Sequence, residues 1–179
     1  MGTSGNLSIL IEPTNCEFLI TASGKDKGEL TEEDFILVDG KGIACNAHTD
    51  TKPSAETLLH AAIYKNTEAK AIYHVHTTNV TLLSMQTKSD FIQFSNLEML
   101  KGLGFKTHDV KINIPIVDNS QDMKYIADIV PNYIDENVPG LILRGHGIYA
   151  WGKTLEEAKR HVEIFEFLFE YRVKELSIM

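Results

Sequence analysis

His74-Val75-His76 closes one apolar run, Ala71-Ile72-Tyr73, and much later in the chain His146 stands between Gly145 and Gly147 at the end of a second, Leu141-Ile142-Leu143. Successive side chains of a strand point to opposite faces, so residues two apart share a face. The first two imidazoles therefore project together. The glycines around the third remove the side chains that would keep the backbone from turning and coming close to a ligand. Three protein ligands with an open fourth position is the way catalytic zinc is held, whereas structural zinc takes four. On a metal-site reading, strand alternation presents His74 and His76 and the glycine-flanked turn delivers His146; on the bland reading these are unrelated histidines in a sheet. An H-x-H pair also arises by chance in sheets, so the rest of the chain must supply the context.

That context is an alternation of strand-like and helix-like segments. Residues 7–11 and 18–22 read as short strands about a Pro13-Thr14-Asn15 turn, with a polar loop over 23–28 behind them. Thr31 with Asp34 can cap a short helix, and Phe35-Ile36-Leu37-Val38 then reads as a strand running into an Asp39-Gly40 turn. Pro53-Ser54-Ala55-Glu56 supplies a breaker, an N-cap and a first turn for a helix whose apolar face is Leu58, Leu59, Ala62 and Ile63. A helix over 79–85, an edge strand over 91–94 and a short helix over 96–102, ended by Gly102 or Gly104, come next. Residues 112–117 alternate, but Pro115 has no N–H and predicts an edge strand or a strand end. Residues 122–133 have helical spacing that Pro131 interrupts late. Thr154 with Glu157 forms a capping-box pattern, after which Ala158, Val162, Phe165, Phe169, Val173 and Leu176 recur at helical spacing.

Together these elements predict a single α/β domain over residues 1–179, with a mixed or mainly antiparallel central sheet flanked by helices. The lack of a regular βαβαβ rhythm speaks against a doubly wound nucleotide-binding fold. With 17 basic against 25 acidic residues and no cationic cluster, nucleic acid is excluded as an expected partner. No apolar run approaches the roughly 18 residues of a membrane span, so no membrane partner is expected either. Cys16 and Cys45 form no C-x-x-C pattern, and no charged and apolar leader opens the chain. A reduced, cytoplasmic protein is the expectation.

Four blocks occur in the order seen in the class II aldolase and adducin superfamily: Thr21-Ala22-Ser23-Gly24-Lys25-Asp26-Lys27-Gly28, Lys52-Pro53-Ser54-Ala55-Glu56, His74-Val75-His76, and Gly145-His146-Gly147-Ile148-Tyr149-Ala150-Trp151-Gly152. The chain resembles that superfamily from Gly2 to about Leu176. The S-G-K-D-K-G block, the Y-A-W-G ending and the stretch from Phe165 to Phe169 resemble its dehydratase branch, whose substrate is 5-methylthioribulose 1-phosphate in methionine salvage, more than its sugar-phosphate aldolases. Family members carry a helical segment before the G-T-S-G-N block, which here follows Met1 directly, so the domain is expected to lack that segment.

The resemblance implies one divalent metal per chain, Zn2+ by preference, held by His74, His76 and His146. It also implies a small phosphorylated sugar as substrate and a homo-oligomer, a tetramer by family habit. In such dehydratases the metal stabilises negative charge as a proton beside the ketone is removed, and loss of the neighbouring hydroxyl as water leads to a 2,3-diketone. Glu98 matches the family's acid/base glutamate, a role worth about a hundred- to ten-thousandfold in rate. Its bland reading is a solvated glutamate on a short helix. Glu56 matches the glutamate that works at the metal in related aldolases and ranks second; its bland reading is a first-turn glutamate favoured by the helix dipole.

For the substrate phosphate, the loops Ser4-Gly5-Asn6 and Ser23-Gly24-Lys25 offer backbone N–H groups, Ser54 lies at a helix N-terminus, and Lys52 adds charge. His48, His60, His108 and His161 take the bland reading of structural or solvated residues. Two other classes stay open beside the dehydratase: a class II sugar-phosphate aldolase or epimerase with the same metal site, and a non-catalytic adducin-like binding module.

Overall fold

A computed structural model of the chain describes residues 5–45 and 51–178. Ser4 and His48 lie outside the described residues. The strands are β1 (Gly5–Glu12), β2 (Glu17–Thr21), β3 (Phe35–Val38), β4 (Ala71–Val75), β5 (Phe91–Ser95), β6 (Lys111–Val117), β7 (Gly140–Leu143) and β8 (Gly147–Gly152). The α-helices are α1 (Thr57–Asn66), α2 (Thr78–Gln86), α3 (Met123–Ile129) and α4 (Leu155–Ile178). Among the described residues the strands form one sheet in the order β3-β2-β1-β4-β8-β7-β6-β5, antiparallel throughout except for the parallel pair β6 and β7. The expected mixed, mainly antiparallel sheet is present.

Strand alternation divides the core into two. Phe18, Ile20, Ile72, Leu141 and Tyr149 face one side, where α1 and α3 pack through Leu59, Ile63 and Ile126. Phe94, Ile114, Ile142 and Ile148 face the other, under Leu83 of α2 and the Phe165, Leu168 and Phe169 ridge of α4. The helix α4 begins just after Thr154, as its pattern predicts, with the Glu157 N–H donating to Thr154 Oγ1 at 3.1 Å, while the Glu157 carboxylate accepts from the Lys153 N–H at 2.6 Å, one residue before the cap. Its apolar stripe fades toward the end, and Leu176 is exposed.

Two expectations need correction. β6 is internal rather than an edge: β5 covers one side of it, and on the other the β7 ladder is confined to Ile116 and Val117. Pro115 is tolerated there because its missing N–H precedes that ladder. The helix after Ser54 starts at Thr57, with Glu56 as its N-cap instead of a first-turn residue. The segment with Pro131 is interrupted late, as expected: α3 gives way to a 3-10 turn, Val130–Tyr133, at whose start the proline sits.

Register sets up the site. β4 and β7 both flank β8 in antiparallel fashion, so they run parallel to each other and end together: Val75 pairs with Ile148, and Leu143 with Gly147. The first residue of β1, Gly5, pairs with Val75 at the same end. β5 runs against β6, and its last residue, Ser95, pairs with Lys111 at the start of β6, while Val117 at the end of β6 pairs with Leu143. The segment after Ser95 is thus delivered to the opposite end of the sheet.

Candidate metal centre

His74 is the next-to-last residue of β4, and His76 follows the strand directly, so pleating turns both rings the same way. His146 enters from the turn between β7 and β8. The three Nε2 atoms converge: His74 and His76 are 2.7 Å apart, and His74 and His146 are 3.4 Å apart. Glu56, at the head of α1, closes the group with Oε1 3.1 Å from His146 Nε2 and Oε2 3.5 Å from His74 Nε2. One ligand atom from each of the four residues lies within 4.8 Å of all the others.

The glycines of the turn earn their place by contact. A Cβ on Gly147 would stand 2.5 Å from the Val75 carbonyl oxygen and 2.9 Å from both His74 Cε1 and His76 Cδ2. Gly145 has φ of +67°, in the left-handed region. Arg144 fixes the same turn to the end of α2, donating from Nη1 to the carbonyl oxygens of Ser84 and Thr87 at 2.7 Å each and from Nε to Asp118 Oδ1 at 2.6 Å. On the other side of the site, Glu166 of α4 accepts from Thr77 Oγ1 and Asn79 Nδ2, both at 2.6 Å, and tethers the residues that follow His76. Sequence reasoning assigned no role to Arg144 or Glu166. Proximity of Arg144 to His146 was the one visible sign, and nothing marked Glu166 among the glutamates of α4.

The donor set suits a divalent cation. His74 Nδ1 donates to the Ile148 carbonyl oxygen at 3.1 Å, which fixes the tautomer and leaves Nε2 bare toward the cluster. Its ring is stacked on Tyr149 at 4.0 Å between centroids. Burial holds His74 neutral, lowering its pKa to about 3, and burial also lowers that of His76. Burial acts to raise the Glu56 pKa, but the neighbouring imidazoles of His146 and His74 and the Asn6 hydrogen bond outweigh it and hold the carboxyl at about 2. Bare imidazole nitrogens and an ionised carboxylate aimed at one point repel one another until a cation lies among them. Three nitrogens and one oxygen are ligands that zinc accepts.

Beside the cluster is a cleft of about 440 Å³ lined by Gly5, Asn6, Ser23, Gly24, Ser54 and Glu56, among others. Five of the six expected phosphate residues therefore meet next to the histidines. Lys52 does not join them: it is exposed, and its contribution is a carbonyl oxygen that accepts the Ser23 N–H at 2.9 Å. Asn6 is committed as well, donating to Ser54 Oγ at 3.0 Å and to Glu56 Oε2. Gly5 has φ of +120°, and a Cβ there would lie 2.3 Å from the His74 carbonyl oxygen.

Glu98 is not brought to the cluster within one chain. It begins a 3-10 turn, Glu98–Leu103, beyond the far end of β5. Its exposed carboxylate pairs with Lys101 Nζ at 2.6 Å and His108 Nδ1 at 3.7 Å. His60 and His161 are buried, and His108 is exposed.

A core of this topology with a histidine and glutamate cluster at the end of its central strands belongs with the class II aldolases, and comparison with known proteins agrees. Residues 1–173 match the family model described as Class II Aldolase and Adducin N-terminal domain. The chain belongs to this family. It is 45% identical over 98% of its length to a protein named methylthioribulose-1-phosphate dehydratase from Geobacillus kaustophilus, covering 84% of that protein. Proteins of the same name from Persephonella marina and Bacillus subtilis are 45% and 43% identical, over 94% and 96% of this chain and 79% and 83% of theirs. Among solved structures, an L-fuculose-1-phosphate aldolase from Thermus thermophilus superimposes with a TM-score of 0.69 at 26% identity, over 98% of this chain and 87% of its own. YgbL from Escherichia coli, a putative aldolase/epimerase/decarboxylase in its own description, gives 0.74 at 27% identity, over 96% and 78%.

Proposed function

We propose that this chain is a zinc-dependent hydro-lyase that removes water from 5-methylthioribulose 1-phosphate, giving 2,3-diketo-5-methylthiopentyl 1-phosphate, a step of methionine salvage. The observation that carries the reading is the 45% identity, over nearly the whole chain, to proteins named for that activity. The reading gives His74, His76 and His146 the metal. A divalent cation held there supplies Lewis-acid stabilisation of the negative charge that develops beside the ketone.

The chain's own groups do the rest. Glu56, ionised and held at Oε2 by Asn6, offers Oε1 to the proton on the carbon next to the ketone. The hydroxyl one carbon further takes up a proton, balancing the one Glu56 removed, and departs as water, and the enol left behind tautomerises to the diketone. The phosphate lies in the cleft formed by Gly5, Ser23, Gly24 and Ser54, with Asn6 turned toward Glu56. Glu98 serves the site of a neighbouring copy, because its place beyond the far end of β5 takes it away from its own chain's histidines. That role requires a homo-oligomer, for which we propose the tetramer, in the cytoplasm.

A second reading, a class II sugar-phosphate aldolase, is favoured by one observation: the glutamate beside the histidines is Glu56, the position that works at the metal in the aldolase-like pattern. Mass spectrometry of the product separates the two. A dehydratase gives a phosphate ester lighter than the substrate by one water, and an aldolase gives two fragments. Purification without bound metal and without turnover supports the binding-module reading instead.

A further inference from the structure

Behind Glu56 a row of buried polar groups runs between α1 and β1. Glu56, His60 and Tyr64 lie four residues apart along the helix and so share a stripe, while Asn6 and Ser8 lie two apart on one face of the strand. Four residues of helix rise about 6 Å and two of strand about 6.7 Å, so the two sets interleave. Tyr64 Oη is 2.7 Å from Ser8 Oγ, and Ser8 Oγ is 2.7 Å from His60 Nδ1. His60 Nε2 bonds Asn6 Oδ1, and Asn6 Nδ2 bonds both Ser54 Oγ, at 3.0 Å, and Glu56 Oε2.

The ionised carboxylate dictates the direction of every bond in this row. A carboxylate only accepts, so Asn6 must face it with Nδ2 and keep Oδ1 for His60. Oδ1 only accepts, so His60 carries its proton on Nε2. Its Nδ1 is then an acceptor, which Ser8 supplies with its hydroxyl hydrogen, and Ser8 in turn accepts from Tyr64. A carboxamide does not hand a proton along, so the row orients groups and does not conduct. Exposures of 5% for Asn6, 0% for Ser8, 0% for His60 and 6% for Tyr64 mean that each group depends on its neighbours for hydrogen bonds. Aliphatic residues of similar shape would fill this space without that dependence, which points to a use beyond stability.

We propose that His60 is a positioning residue for Glu56: its Nε2–H fixes the Asn6 amide with Nδ2 toward the carboxylate, and this aims Glu56 at the metal site. The inference rests on the reading of Glu56 as the carboxylate at the metal. Without the His60 donor the amide is free to turn over, and Oδ1 then repels Glu56.

The test is a double-mutant cycle read twice, by zinc affinity from chelator competition without substrate and by steady-state turnover of 5-methylthioribulose 1-phosphate. His60→Leu is expected to weaken zinc binding and to lower kcat, each about tenfold or more, with KM changed less than about threefold. His60→Gln, whose amide nitrogen can reach the place of Nε2, recovers both to within about threefold of wild type. In the Glu56→Gln background His60→Leu changes zinc affinity by less than about twofold, because nothing remains for it to aim. Equal effects in the two backgrounds, or a His60→Gln protein as impaired as His60→Leu at an unchanged thermal transition, overturn the proposal. If His60→Leu does not fold, Ser8→Ala takes its place in the cycle. It removes the donor to Nδ1 and frees the ring to adopt the other tautomer, and an effect that persists with Glu56→Gln counts against the proposal in the same way. A wild type that binds zinc but leaves the substrate intact refutes the dehydratase reading, while the zinc cycle still decides the role of His60.

Discussion

Glu56 combines two properties that an acid/base group at a metal needs: it is ionised far below neutral pH, and Asn6 holds its Oε2 while its Oε1 lies 3.1 Å from His146 Nε2. Glu56→Gln keeps the shape and removes the charge. Its turnover is expected to fall by about a hundredfold or more, measured as kcat at saturating substrate, with the thermal transition within a few degrees of wild type. Near-normal turnover would remove Glu56 from the mechanism. Gly147 makes a different kind of demand, since any side chain there meets His74 and His76 at once. Gly147→Ala should therefore weaken zinc binding by about tenfold or more in chelator competition, and an unchanged affinity would mean that the ligands have more room than the structure gives them. At this scale the three histidines and both glycines were legible in sequence, because strand alternation and the lack of a side chain are local properties. The choice between Glu56 and Glu98 was not, because both stand at the start of a helical segment, Glu56 capping α1 and Glu98 opening a 3-10 turn, and only strand order assigns them to opposite ends of the sheet.

The two histidine-bearing turns are each held by a side chain outside the cluster. Arg144 ties the turn of His146 to the carbonyl groups that α2 leaves without helical partners at its end, and Glu166 of α4 ties the turn after His76. Arg144→Met keeps the length of the stem and loses the planar fork of donors. The expected result is a lower thermal transition together with zinc affinity reduced about tenfold, and full affinity at a lowered transition would make Arg144 a stabilising residue only. The elements themselves were largely readable. α4 starts at a capping-box pattern and shows a long periodic stripe, and α1 follows a proline breaker. Pro115 misled because a proline excludes a ladder bond on one side only, and β6 is unpaired on that side until Ile116. Ser54 was read as the cap of α1, whereas its hydroxyl accepts from Asn6 and from the Glu56 N–H at 3.3 Å and sets the turn before the helix.

Buried neutral His60 adds an acid-sensitive share to the stability of the whole molecule. Burial lowers the His60 pKa from 6.5 to about 3, so between these values the unfolded chain binds a proton that the folded chain refuses. Stability from this residue is complete above the unfolded pKa and is lost as pH falls toward the folded one, at a rate of about 1.4 kcal/mol per pH unit. Urea unfolding at pH 6 and pH 5 should show that drop in wild type and a smaller one in His60→Gln, and equal drops would contradict it. Assembly is tested by mixing. Oligomers formed from Glu56→Gln and Glu98→Gln chains should regain turnover that neither variant shows alone, because a mixed interface reunites an intact Glu56 with an intact Glu98. Failure to complement, or full activity of Glu98→Gln by itself, would remove Glu98 from a neighbour's site. The central claim is that one metal ion among His74, His76, His146 and Glu56 enables dehydration of 5-methylthioribulose 1-phosphate. Its most direct test is to strip the protein of metal and titrate zinc back while following appearance of the diketone. Activity should start near zero and rise linearly to a break at one zinc per chain, with no such rise in His146→Ala. Undiminished dehydration by the stripped protein, or an equal rise in His146→Ala, would contradict the account.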